Sequence, residues 1–250
     1  DVCSSDLFYE TYYIPNNAML VVVGDVGVDE VRDAATKWFG GLKKGAEPPR
    51  PADANPETPQ KKMRREDFQP GQIGLTNAGN HIPEATQADN YPLQHLSLIL
   101  GAGDSSRLHN RMVRTDKVAV QVGSQSLVRE HPGLLVMFAA FLDPSMEKKV
   151  ERSLFDEIGK LARTAPSAKE LSKAKNQILS GFVFGLESVT GLANQIGMSW
   201  IRSGDPRRFM SDLAKYEAVT AKDVQRVAKK YLKQANRTVV VFPPAGNGGK

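Results

Sequence analysis

Four histidines, His81, His95, His109 and His131, have the strongest claim on metal chemistry in this 250-residue chain. A hydrolytic zinc needs imidazole and carboxylate donors converging on one point, which a helix supplies by placing two histidines one turn apart. None of the four has another histidine four residues away, and none is followed by a Glu-His pair. No metal ligand is therefore assigned. Ser105 and Ser106 as hydrolase nucleophiles lack a supporting histidine and carboxylate pattern. The glycine-bearing stretch GAGDSS, residues 101–106, lacks the longer pattern ending in Gly-Lys-Ser/Thr that cradles phosphate. It reads instead as a helix-to-helix turn, with glycine supplying unusual backbone angles and Asp104 or Ser105 capping the next helix. One cysteine, Cys3, excludes an internal disulfide and a thiolate metal cluster.

Charge points away from nucleic acid. The net charge of +5 comes largely from one segment, Lys43–Arg65, with seven basic residues against three acidic ones. That segment also holds Pro48, Pro49, Pro51, Pro56 and Pro59, the composition of an extended solvated linker. No aromatic interleaving accompanies the charge, so no nucleic-acid partner is expected. A run of about 18 apolar residues is absent, so no membrane span is expected either.

The elements around these residues read as α/β. Gln72–Ala78 is expected to be a strand, and Gln87–Leu100 carries apolar residues at helical spacing. Two further strand-like runs, VAVQVGSQSL and GLLVMFAAFL, are separated by VREHP and should lie antiparallel. A helix then begins with Asp143 as N-cap and Pro144 in its first turn. Ser167 and Glu170 form a capping-box pattern ahead of a long apolar stripe from Leu171 to Trp200, expected to be buried and to break near one of its glycines. Thr220 caps a final amphipathic helix before the strand NRTVVVFPP.

The opening of the chain is the odd part. AMLVVV, Ala18–Val23, reads as a strand buried on both faces, which demands neighbouring strands. Beside "YLKQANRTVVVFPP", the stretch "YYIPNNAMLVVVGD" looks like a copy of the same pattern, Tyr13 matching Tyr231 and Val21–Val23 matching Val239–Val241 after a one-residue offset. This suggests an internal repeat whose first copy is cut off.

The stretches "FYETYYIPNNAMLVVVGDV", "LSLILGAGDSSRLHNRMVR" and "SAKELSKAKNQI" resemble the insulinase and pitrilysin family of zinc metallopeptidases, especially its mitochondrial processing peptidase-like bacterial members. The resemblance implies an α+β fold, a two-layer α/β sandwich with a mainly antiparallel sheet covered by helices, preceded by a strand-helix remnant of a homologous domain. It implies residues 1–47 as the truncated end of a first, catalytic-type domain, 48–60 as a proline-rich linker, and 61–245 as a second domain without zinc. The family's His-x-x-Glu-His motif is missing here, so the chain is expected to hold no cofactor and to be inactive alone. Zinc is expected in the missing first half or a partner.

By the same resemblance, an arginine after the "SSRL" helix and a tyrosine seven residues later contact substrate backbone. Arg114 fits the first position, while Gln121 stands at the second. Glutamine can donate a hydrogen bond, but with different reach from a phenol. Arg114 also sits near a helix C-terminus, where a cation is favoured whatever the function. Two roles stay open: the carboxyl-terminal portion of a zinc endopeptidase, closing the cleft on an unfolded peptide, or a non-catalytic scaffold subunit. The implied partners are the peptide and a catalytic first half or homologous subunit, with a dimer and a bacterial periplasmic location expected.

Overall fold

The computed structural model describes residues 4–49 and 60–245. Cys3 and most of the expected linker, 48–60, lie outside the described residues. The chain divides into two compact units, Asp1–Pro56 with Phe182–Phe209, and Glu57–Gly181 with Met210–Lys250.

The larger unit is built on a five-stranded sheet of order β1-β5-β2-β4-β3. Its strands are β1 (Arg64–Asp67), β2 (Gly74–Ile82), β3 (Gln121–Leu127), β4 (Gly133–Phe141) and β5 (Arg237–Phe242). All pairings are antiparallel except β1 with β5. Burial alternates strictly along β2 and β5, so one face of the sheet is sealed and the other is half-open.

Helices α3 (Asn90–Gly101), α4 (Glu147–Arg163) and α8 (Ala221–Tyr231) pack on the sealed face. Leu93, Leu96 and Leu100 of α3, Val150, Leu154, Ile158 and Leu161 of α4, and Val224 and Val227 of α8 form the core with Ala78, Met137 and Val239. Each such fully buried aliphatic side chain contributes about 1.5–3 kcal/mol. The two-layer, mainly antiparallel sandwich expected from the sequence is the fold of this unit. Its caps are also as expected. Asp143 accepts from the Ser145 backbone N–H, Ser167 and Glu170 cap each other, and Thr220 forms a full capping box with Asp223.

The smaller unit holds α1 (Ser4–Tyr12), α2 (Val28–Phe39) and α6 (Val189–Ser203), with the end of α5 (Ala168–Leu186) and the start of α7 (Arg208–Glu217). Here two expectations are corrected. Ala18–Val23 is not a strand: it leaves the 3-10 turn Pro15–Asn17 with extended backbone at Ala18, but among the described residues no strand pairs with it. Leu20 is 60% exposed and Val22 49% exposed, because burial on both faces needs flanking strands and a covering layer.

The stripe expected to be buried from Leu171 to Trp200 also differs. Ala174 is the sole buried residue of α5 and none is buried in α6; the rest of the stripe from Leu171 to Ile196 is half-buried except Val189, which like Trp200 is exposed. Apolar periodicity shows which face can be covered, and does not supply the cover. The break does fall among the glycines: α5 ends before Glu187 and Ser188, and a Cβ at Gly191 would stand 2.0 Å from the Gly185 carbonyl oxygen.

Candidate functional site

The residues singled out by sequence gather at the end of α3 and the start of β3, all within the larger unit. Gly101 closes α3 against the sheet, where a Cβ would meet the Ser124 backbone nitrogen at 2.1 Å. Gly103 then turns the chain at φ +73°, a left-handed value that glycine adopts without penalty. The following helix is capped differently from expectation: neither Asp104 nor Ser105 caps it, and the buried Ser106 hydroxyl accepts from the His109 N–H at 3.4 Å. Ser105 is engaged elsewhere, accepting from Lys173 Nζ at 2.7 Å, while the same ammonium donates to the Ala102 carbonyl at 3.0 Å.

A contact that sequence reasoning missed locks this turn. Arg107 donates from Nε and Nη2 to the two carboxylate oxygens of Glu170, at 2.6 and 3.0 Å. Glu170 also accepts from the Ser167 N–H and hydroxyl, each at 2.8 Å. The Arg107 hydrogen bonds, reinforced by those from Ser167, outweigh partial burial and hold the Glu170 carboxyl down at about 2. Two distant stretches, LSLILGAGDSSRL and SAKELSKAK, are thereby fixed to each other. The signal was present in the sequence as the recurrence of both stretches in one resemblance, but nothing in either stretch alone names its partner.

Beyond Leu108 the helix widens into a π-helix, His109–Thr115. Such segments are rare and occur frequently at functional sites. Its end is tightly tied. Asp116 accepts from Arg111 Nε at 2.5 Å and from the Ser153 hydroxyl at 2.7 Å, and these bonds overcome burial to lower its pKa. The Met112 carbonyl accepts from both Val118 and Ala119 N–H groups, at 2.9 and 3.2 Å, while the Met112 side chain is fully buried. Between them Lys117 sits at φ +52°, a left-handed backbone that costs a non-glycine residue on the order of 1 kcal/mol.

This connector carries the two expected site residues at its ends. Arg114 is exposed in the last turn of the π-helix, and its side chain makes no hydrogen bond or ion pair among the described residues. Gln121 is the first residue of β3, exposed and equally without a side-chain partner. It pairs in register with Ala140, and alternation from Ser124, which meets Ser97 of α3, puts Gln121 and Gln125 on the half-open face. Half-buried Leu75, Val136, Phe138 and Val240 share that face. Among the described residues β3 is an edge strand, paired with β4 alone.

The described residues bring together no zinc site. The His95 ring is wholly buried with Nδ1 on the Tyr91 carbonyl, and burial lowers its pKa. His109 Nε2 lies 3.6 Å from Asp104 alone. Among the described residues no group of three or more histidine, cysteine, aspartate and glutamate side chains could hold a metal ion. No described helix is long and apolar enough to cross a membrane.

A two-layer, mainly antiparallel α/β module with a half-open sheet face, and with no metal-donor cluster among its described residues, is the class that fold and site define. Residues 7–178 match the peptidase M16 inactive domain, and the chain belongs to that family. It is 25% identical over 239 residues to the zinc protease PqqE of Helicobacter pylori, covering 95% of this chain and 54% of that protein. It is 28% identical over 246 residues to an uncharacterized zinc protease of Streptomyces coelicolor, covering 94% and 52%. The chain thus spans about half the length of the curated relatives it matches. Among solved structures, a protease from Helicobacter pylori superposes with a TM-score of 0.89 over 98% of this chain and 60% of that one at 24% identity, a likeness of fold. An inactive peptidase domain from Bordetella parapertussis gives 0.64 at 27% identity, covering 72% and 95%.

Proposed function

We propose that this chain is the non-catalytic half of a zinc-dependent endopeptidase acting on unfolded peptides. In this reading it closes the cleft over the peptide and holds the peptide backbone. The observation that carries the reading is the pair of unpartnered polar side chains, Arg114 and Gln121, at the two ends of a rigid connector that feeds an edge strand. An extended peptide laid along β3 gains main-chain hydrogen bonds from the strand's free edge. Arg114 then donates to a substrate carbonyl as a charged group, and Gln121 donates from its side-chain amide. The Arg107–Glu170 pair and the Met112 carbonyl keep both ends of the connector in place before substrate arrives, so little ordering remains to be done on binding.

Zinc belongs, in this reading, to a catalytic first half or a homologous partner carrying the His-x-x-Glu-His motif, where it supplies an activated water. Residues 1–47 end that first domain and 61–245 form the second. One feature favours a second reading, a scaffold subunit: the resemblance implies tyrosine at the position of Gln121, and a glutamine there gives up a phenolic donor.

Co-expression with a first half bearing the zinc motif tests the proposal. Restored cleavage of short unfolded peptides, with neither part active alone, is expected. A stable but inactive complex contradicts it and leaves the scaffold role.

A further inference from the structure

We propose that the basic outer face of α8 and the end of α4 is a docking site for an acidic polypeptide segment. The inference rests on a surface remote in sequence from Arg114 and Gln121 and does not depend on the reading above.

Helix α8 buries Val224, Val227 and Ala228 against the core. Its opposite face carries Lys222, Arg226 and Lys229 at positions i, i+4 and i+7, and Lys233 follows just past its end. Two open depressions run along this stripe and share Lys229 and Lys233. One, of about 420 Å³, is lined by Lys222, Arg226 and Lys230 as well. The other, of about 510 Å³, adds Arg163 and the apolar Ala162, Ala228 and Leu232.

The local carboxylates are already committed. Asp89 accepts from Arg226 and Lys230, both at 2.7 Å, and from the Tyr231 hydroxyl at 2.8 Å. Burial opposes its ionisation, but these bonds prevail and set its pKa at about 2, so it stays charged and occupied. Asp223 is held by the Thr220 hydroxyl and backbone N–H. Lys222, Lys229, Lys233 and Arg163 remain exposed with no side-chain hydrogen bond or ion pair among the described residues. This face therefore presents four unneutralised cations.

Charge selects the occupant. No large apolar side chain on α4 or α8 is exposed to enter lipid. No aromatic side chain lines either depression to stack a base. Four unpaired cations call for several carboxylates at once, which an acidic polypeptide supplies, and the 11 residues of α8 span roughly 16 Å, about five residues of extended chain.

The test is a fluorescence anisotropy titration of labelled (Glu-Thr)6 with the 250-residue chain in 50 mM salt. Saturable binding is expected, weakening about tenfold in the doubly reversed Lys229→Glu/Lys233→Glu chain and about fivefold on raising salt to 300 mM. Reversal at the distant exposed pair, Lys43→Glu/Lys44→Glu, is expected to leave binding unchanged, with circular dichroism confirming that both variants fold. The proposal is overturned by absent binding or by equal losses in the two variants. It is likewise overturned if duplex DNA or phosphatidylserine vesicles bind more tightly with the same sensitivity to Lys229 and Lys233.

Discussion

Tyr12–Val23 and Tyr231–Phe242 begin with the same local structure and end in different ones. In each, a helix ends at a tyrosine, a 3-10 turn closes on an asparagine five residues later, and that side chain donates back to the tyrosine carbonyl. Asn17 Nδ2 reaches the Tyr12 oxygen at 2.8 Å, and Asn236 Nδ2 reaches the Tyr231 oxygen at 2.9 Å. The repeat seen in the sequence is thus present as a hydrogen bond, with Tyr12 rather than Tyr13 matching Tyr231. In that register Leu20–Val22 match Val239–Val241 with no offset. Past the turns the copies part. Val239 and Val241 are buried between β1 and β2, while Leu20 and Val22 stay exposed.

The difference teaches what is local and what is not. A turn needs its own asparagine, but a strand needs partners on its edges and a layer on its faces. In the second copy the partner is explicit: the fully buried Asn80 of β2 donates from Nδ2 to the Tyr231, Lys233 and Asn236 carbonyls at 3.1, 3.3 and 2.9 Å. Asn236 returns a bond to the His81 carbonyl at 3.0 Å. Among the described residues the first turn has no equivalent of Asn80.

That asymmetry can be broken by mutation. Asn80→Ala should lower stability by about 1–3 kcal/mol, because it empties a fully buried side-chain site and takes a donor from the part-buried Lys233 and Asn236 carbonyls, and urea unfolding followed by circular dichroism measures it. Asn17→Ala, in the exposed copy, should cost no more than about 0.5 kcal/mol in the same experiment. Equal costs would mean that the two turns are equally anchored. Amide exchange sharpens the contrast residue by residue: Val239–Val241 should be protected by global stability, and Leu20–Val22 should exchange near the unstructured rate.

The Arg107–Glu170 pair extends the comparison to a contact between segments. Glu170→Gln should cost about 1–2 kcal/mol near neutral pH, the range for a half-buried bidentate pair. The folded-state pKa of about 2 lies below the ordinary 4.5, so this stabilisation is full above about pH 4.5 and is lost as pH falls towards 2. The Glu170→Gln chain should accordingly lose less stability than the parent between pH 5 and pH 2. Parallel stability curves for the two chains would remove Glu170 from the acid transition. Arg114→Ala should leave stability within about 0.5 kcal/mol, since its exposed side chain has no partner to lose.

The same logic explains what the sequence made legible. Strands β2 to β5 show in alternation and β-branched runs, and the caps at Asp143, Ser167 and Thr220 show because a cap is written within four residues. β1 does not show. Its sequence is RRED with every residue exposed, and it is a strand solely because β5 lies beside it. The π-helix leaves no apolar period to read, and the Arg107–Glu170 pair joins residues 63 apart. Arg114 and Gln121 are proposed from resemblance alone, and the structure shows them exposed with no side-chain partner among the described residues.

The central claim is that this chain positions substrate for a metal held elsewhere. It is tested most directly by kcat/KM and bound zinc in the complex reconstituted with a zinc-bearing first half, comparing Arg114→Ala with the parent. Loss of one charged hydrogen bond in the transition state predicts a fall of roughly 10–100-fold, with one zinc per complex unchanged. Unaltered kcat/KM, or a fall matched by lost zinc, would contradict it.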